Sequence, residues 1–530
     1  MPSESRSSTI CISETMKFPK KKLLLLLSML YGPLGAHAYI TSHSAVPVNK
    51  KVAWLKKLTG DICESPKGEL SDEMIQAAPE IMKGWRSSKF SGTENAMAVE
   101  MLVKRIIDEN KAGNPKAVPP STFDYNCLLE GWARSGAGSF AAERCEQILT
   151  EMEERYQQGD NNVQPDLSSF KAVLMAWRES DASYSAHRAQ RVLNWMLRLY
   201  EEGTNERVLP DSDCFDIVLQ TWSRSKDEMA PQYAEKLLAE MERVSHRTQS
   251  TRLKPRTVSF NAVLGAWYKS KEEFAYKRVC SILSFMENLY YEEKNDRIKP
   301  DAATYSIVMG SLAKASDVRG AKKADKILSR LEKEYKSGDL KWEPDTILFN
   351  TAIGCWTKSR SEGAYRRARS VLDRQLQMYN SGCKSCKPDV YGYTSVLSSC
   401  AVEPGNRKQK TKAFEVAMST FAELEKRSEE FGSPNHVTYG TMLKACAHLL
   451  PPSSLLRKEY TRKLFQDCIK HGQVGDMVIS RLREAASLPD YKELMQGYTR
   501  NNLPREWTRN VKEKNIYRRK AVDKRQRAEI

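Results

Sequence analysis

LKPRTVSFNAVLGAWYKS, residues 253–270, decides the fold. Pro255 restricts the residue before it and sets the entry to a helix. Phe260, Val263, Leu264 and Trp267 then recur at i, i+3, i+4 and i+7, one apolar helix face. The chain repeats this pattern. PSTFDYNCLLEGW begins at Pro120, PDLSSFKAVLMAW at Pro165 and PDSDCFDIVLQTW at Pro210. PDAATYSIVMGSL begins at Pro300, PDTILFNTAIGCW at Pro344, PDVYGYTSVLSSC at Pro388 and PNHVTYGTMLKAC at Pro434. The eight prolines are spaced 45, 45, 45, 45, 44, 44 and 46. A fixed period of this size marks a repeat array.

Each repeat continues into a second amphipathic helix, such as SFAAERCEQILTEMEERY after Pro120, EEFAYKRVCSILSFMENLYY after Pro255 and GAYRRARSVLDRQLQMY after Pro344. A polar loop leads to the next proline. No alternating strand pattern is present, so the expected fold is all-α, with eight helix–turn–helix repeats over 120–472. Neither helix can bury its apolar face alone, and stacking of the repeats supplies the core. Residues 73–119 read as a degenerate first repeat, with Trp85 placed 47 residues before Trp132. The last repeat has its second helix at about 454–470, residues 473–487 read as a capping helix, and 488–530 as a basic tail.

The net charge of +17 is concentrated at the ends. Residues 1–60 and 500–530 each carry +7, which leaves +3 for 61–499. The array is nearly balanced, so the overall charge is not by itself a nucleic-acid signature. The twelve cysteines are scattered through apolar helix patterns, which suits buried thiols in a reducing compartment. Lys20, Lys21 and Lys22 precede the apolar run 23–34 and an A-x-A site at Ala36, His37 and Ala38. These are the parts of a signal peptide, read as 1–38. The acid-free start of the following segment, 39–60, reads as transit-like. The pair resembles the bipartite presequence of proteins sent to complex algal plastids, with Tyr39 where Phe is usual. A plain secretory signal and a mitochondrial presequence are the alternatives.

The string Pro344-Asp345-Thr346-Ile347-Leu348-Phe349-Asn350, followed by an apolar helix and Trp356, resembles the pentatricopeptide repeat family. The resemblance covers roughly residues 73–487. The family's usual repeat is shorter by about ten residues, and length alone would fit the HEAT class. The extra residues fall at the end of the second helix and its loop. Leu503-Pro504-Arg505-Glu506-Trp507 is similar to tails of long-period algal members. The resemblance implies a right-handed superhelical solenoid that binds single-stranded organellar RNA, one base per repeat. It implies no catalytic residues, no metal and no cofactor, no small-molecule substrate, and no membrane partner after presequence removal. A separate RNA-processing enzyme is compatible with it as a partner.

In that family each base is selected by the residue after the Phe/Tyr together with the residue after the next proline. The side chain three after the proline packs on the base. Carried over, Asn126 with Asp166, Asn261 with Asp301 and Asn350 with Asp389 imply U. Ser306 with Asp345 implies G, and Thr394 with Asn435 implies A. Lys171 with Asp211 and Asp216 with Arg256 match no familiar pair, and Gly440 offers no side chain. The implied string is U-x-x-U-G-U-A. The packing residues are Phe123, Val258, Ala303, Ile347, Tyr391 and Val437, whereas the two unmatched repeats place Ser168 and Asp213 there.

A polar residue at a helix start is also an ordinary N-cap worth about 1 kcal/mol. The Trp column (Trp85, Trp132, Trp177, Trp222, Trp267, Trp356) shares a face with the aromatic and Leu/Val positions and reads as core. Cys383 and Cys386 form half a zinc motif with no second half in the chain. No H-x-E with a P-C-x-x-C, no nuclease-like carboxylate cluster and no Gly-rich phosphate loop occurs. The chain therefore reads as a binder. A helical-repeat scaffold for other proteins is the alternative.

Overall fold

The computed structural model describes residues 48–67, 69–87, 92–115 and 117–511, and is all-helical over them. The chain divides into two compact blocks, Met1–Lys254 and Pro255–Ile530.

The first block contains α1 (Val48–Glu64), α2 (Asp72–Ser87), α3 (Thr93–Lys111), α4 (Thr122–Ala133), α5 (Gly138–Gln157), α6 (Leu167–Glu179), α7 (Ser185–Glu201), α8 (Ser212–Arg224) and α9 (Ala230–Arg247). Each first helix of a repeat packs on its own second helix and on the first helix of the next repeat. The aromatic after each proline drives this. Tyr125, Phe170 and Phe215 are at most 2% exposed, and each such side chain contributes about 1.5–3 kcal/mol by burial.

The Trp column is core, as its phase predicts: Trp85, Trp132, Trp177 and Trp222 are buried. Their indole N–H groups find fixed partners. Trp132 donates to Glu100 at 2.9 Å, Trp177 to Glu146 at 3.0 Å and Trp222 to Gln190 at 3.2 Å. Each acceptor sits on the second helix of the preceding repeat, so the indole satisfies its donor while stitching two repeats together.

The expected transit-like segment 39–60 overlaps α1. Leu55, Leu58 and Ile62 are buried there, and Trp85 donates to Thr59 Oγ1 at 3.0 Å. The helical packing thus begins before the degenerate repeat, because α1 covers the apolar side of α2 and α3.

The second block contains α10 (Thr257–Lys269), α11 (Ala275–Tyr291), α12 (Ala302–Ala315), α13 (Val318–Ser337), α14 (Thr346–Ser359), α15 (Ala364–Asn380), α16 (Val390–Ala401), α17 (Arg407–Lys426), the short α18 (Ser428–Phe431), α19 (His436–Leu449), α20 (Leu455–Lys470) and α21 (Asp476–Ala485). Phe260, Tyr305, Phe349, Tyr393 and Tyr439 continue the buried aromatic column, and Trp267 and Trp356 the Trp column.

Most of the loops ahead of a proline contain a short 3-10 turn that buries one apolar side chain. These are Val163, Val208 and Leu253 in the first block, and Ile298 and Cys386 in the second. A threonine at the first helical position clamps this loop in the following repeat. Thr122 Oγ1 donates to Asn162 O at 3.1 Å and Gln164 O at 2.8 Å. Thr257 makes the same contact to Arg297 and Lys299, and Thr346 to Ser385 and Lys387.

The expected basic tail 488–530 needs correction in its first part. Residues 488–511 fold back through α22 (Leu488–Met495) and α23 (Arg505–Thr508) onto α20. Trp507 is buried, its ring centroid 5.7 Å from that of Phe465 and 5.4 Å from that of Tyr498. Val474 N donates to Trp507 O at 2.8 Å. Apolar burial at the end of the stack outweighs the local basic composition. Residues 512–530, and the expected cleavage and transit features before residue 48, lie outside the described residues.

Candidate nucleic-acid interface

In six of the eight repeats the side chain of the residue after the proline caps the helix, as its type predicts. Asp166 accepts from Ser169 N, Asp211 from Cys214 N, Asp301 from Thr304 N, Asp345 from Leu348 N, Asp389 from Gly392 N and Asn435 from Thr438 N. Capping leaves part of each carboxylate available, and four of these groups hold a second partner, three of them an asparagine. Asn126 Nδ2 donates to Asp166 Oδ1 at 3.1 Å and Oδ2 at 3.3 Å. Asn261 Nδ2 donates to Asp301 Oδ1 at 3.1 Å, and Asn350 Nδ2 to Asp389 Oδ1 at 3.0 Å. All three Asn/Asp pairs named from the sequence are therefore brought together across adjacent repeats. A carboxylate only accepts, so the amide nitrogen is the end that faces it.

Two other named pairs do not meet directly. Ser306 Oγ turns back to Ala302 O at 2.8 Å within its own helix. Thr394 Oγ1 lies 2.9 Å from Thr438 Oγ1, and Thr438 in turn reaches Asn435 Oδ1 at 3.2 Å. Thr438 thus stands between the two residues paired by the repeat phase. Lys171 is locked to Asp211 at 2.8 Å and Asp213 at 2.9 Å. Burial opposes its charge, but the two carboxylates outweigh that and hold its pKa above the ordinary lysine value. Asp216 is buried in the first block, and Arg256 begins α10 in the second. At Gly440 an added Cβ would come 3.1 Å from Met477 Cγ, so α21 covers the reader position of the last repeat.

The packing positions form a second feature. Phe123, Val258, Ile347, Tyr391 and Val437 are 44, 44, 65, 67 and 37% exposed, and Ala303 is exposed as well. Each stands on the first turn of its helix, three residues before the reader position of its repeat. An apolar side chain exposed at the same phase of so many repeats marks a contact surface.

A basic column escapes the sequence reading, although the same count from the proline finds it. Fourteen residues on stand Arg134, Glu179 and Arg224 in the first block, and Lys269, Lys314 and Lys358 in the second. In the first block the charges cancel: Arg224 lies 3.6 Å from Glu179 and Arg134 lies 3.6 Å from Glu130. In the second all three positions are lysine. Burial, and then the charges of Lys269 and Lys358, hold the Lys314 amine below its usual pKa. Lys314 Nζ also sits 3.9 Å from the Tyr268 ring centroid. A row of cations whose middle member is depressed by its neighbours favours a polyanion.

Cys383 and Cys386 are both buried, and their thiols point to backbone. Cys386 Sγ donates to Cys383 O at 3.2 Å and Cys383 Sγ to Pro344 O at 3.6 Å. No helix among the described residues is long and apolar enough to cross a membrane. No protein-family model matches the chain, and no curated protein matches it.

Proposed function

We propose that this array binds single-stranded RNA in the manner of the pentatricopeptide repeat proteins it resembles, one base per repeat along U-x-x-U-G-U-A. The observation that carries the reading is the recurring trio of an exposed apolar side chain beside an Asn/Asp pair, as in Val258 with Asn261 and Asp301. An apolar group takes a base's face, and an amide takes its Watson–Crick edge. The lysine column of the second block supplies the charge that a phosphate backbone needs. The Pro165 repeat, with Lys171 spent on two carboxylates, acts as a spacer. The presequence-like start points to a plastid, with the mitochondrion as the alternative, and the bound RNA would be stabilised, processed or translated there. A processing enzyme could be recruited as a partner.

The test is Asn350→Thr beside Asp389. Binding to RNAs that vary only at the sixth base should move from a preference for U to a preference for G. Unchanged base selection sinks the assignment. A second reading, a scaffold for other proteins, draws on the first block, where the basic column is neutralised. Absence of RNA affinity at low salt would favour it.

A further inference from the structure

The three Asn/Asp pairs look identical in the sequence but are not identical in their surroundings. The difference lies four residues after the next proline. At Asn126 that position is Ser169, whose Oγ lies 2.6 Å from Asn126 Oδ1. At Asn261 it is Thr304, at 2.7 Å. At Asn350 it is Gly392, which has no hydroxyl. Asn350 Oδ1 has no hydrogen-bond partner, and the residue is only 8% exposed. A Cβ built on Gly392 would lie 2.5 Å from that same Oδ1, so the carbonyl occupies the space that a serine or threonine side chain fills elsewhere.

The direction of the serine and threonine hydrogen bonds is fixed by their other contacts. Ser169 Oγ accepts from Asp166 N at 3.1 Å, and Thr304 Oγ1 from Asp301 N at 3.1 Å. With a lone pair thus occupied, each hydroxyl turns its hydrogen toward the acceptors near it, the Asn carbonyl being the closest. Asn126 and Asn261 are then held at both ends: nitrogen to carboxylate, oxygen to hydroxyl. Asn350 is held at the nitrogen alone.

We infer that Ser169 and Thr304 are positioning residues that lock the reader amide in one orientation, and that Gly392 leaves the Asn350–Asp389 pair permissive. The inference rests on the RNA-binding reading above. An amide in one orientation offers a donor and an acceptor that match the O4 and N3–H of uracil. Turned over, the same amide matches the N3 and N4 amino group of cytosine. An amide held at both ends therefore separates U from C more sharply than one held at the nitrogen alone. The same position distinguishes two further repeats. Thr438 carries the contact for Thr394, whereas Leu348 has no hydroxyl and Ser306 turns back on its own helix.

The experiment measures U-over-C preference of the full chain, by competition binding, at each of three bases of the RNA. The preference at the first and fourth bases should exceed that at the sixth by about fivefold, the factor that one hydrogen bond of about 1 kcal/mol represents. Ser169→Ala should lower the preference at the first base by a similar factor without changing the fourth, and Ser169→Thr should retain it. Gly392→Ser should raise the preference at the sixth base, a gain that misfolding cannot imitate. If Asn126→Ala abolishes selection at the first base while Ser169→Ala leaves it intact, and Gly392→Ser changes nothing, the inference is overturned and the RNA reading stands. If Asn126→Ala has no effect on selection either, both are overturned.

Discussion

Lys171 Nζ stands 2.8 Å from Asp211 Oδ2, and this contact occupies the place that an Asn/Asp pair holds in other repeats. The ammonium neutralises the carboxylate and also draws in Asp213, so the Pro165 repeat has no amide edge to offer a base.

Replacing Lys171 with Asn should therefore open the repeat. Lys171→Asn is expected to create a preference for U at the second base of about threefold to fivefold, less than a fully tethered pair because Cys214 stands at the hydroxyl position. Stability should change by about 1 kcal/mol or less, since the ion pair is half-exposed. Selection from an RNA pool randomised at that base checks the first part, and thermal unfolding checks the second. A base preference that stays flat after the substitution removes the closed-pair explanation.

Two tyrosines two residues apart should separate binding from folding. Tyr391 is 67% exposed, and Tyr393 is fully buried in the aromatic column. Tyr391→Ala should leave stability within about 0.5 kcal/mol and weaken RNA binding by about 1–3 kcal/mol. Tyr393→Ala should destabilise the second block by about 3–5 kcal/mol. Denaturant melts and binding titrations on the two variants give the comparison. Equal loss of affinity and stability in Tyr391→Ala would mean that its ring is structural.

The lysine column predicts a salt dependence. Changing Lys269, Lys314 and Lys358 together to Gln should reduce the slope of log K against log salt by about 2, from about 0.7 per phosphate contact on a single strand. The base preferences should persist, because these side chains lie two to three turns from the amide pairs. An unchanged slope would place the phosphates elsewhere.

The thiols make a separate prediction. Among the described cysteines, ten are buried and Cys63 is partly exposed. Burial pushes Cys355, Cys400 and Cys446 up to about 12, so they remain protonated and unreactive at neutral pH. Mass spectrometry after brief alkylation of native protein should find Cys63 modified well ahead of the ten, and all of them modified in denaturant. Rapid labelling of Cys355 or Cys400 in the native state would contradict the packing.

Features that recur were legible before any coordinates. The proline phase and the aromatic and Trp columns identify the helix pairs, because each repeat solves the same burial problem with the same residues. The three Asn/Asp pairs were legible for the same reason. What escaped were relations between repeats that depend on small groups. The hydroxyls of Ser169 and Thr304 sit in ordinary capping positions, and their reach to Asn126 and Asn261 becomes visible only when adjacent repeats are stacked. Ser306 does not reach toward Asp345 because a serine on a helix can bond the carbonyl four residues back. The fold-back of 488–511 and the helix α1 occur once each, so no internal comparison marks them.

That fold-back has a consequence for how copies of the chain meet. A stack of identical repeats presents, at its last helices, a surface shaped to receive one more repeat. Left bare, it would accept the start of another chain, and such head-to-tail contacts do not close on themselves but propagate into filaments. Trp507, seated on Phe465 and tied through its carbonyl to Val474, covers part of that surface with the chain's own residues. The segment is therefore expected to serve as a chain terminator, keeping a molecule built by repetition from repeating further.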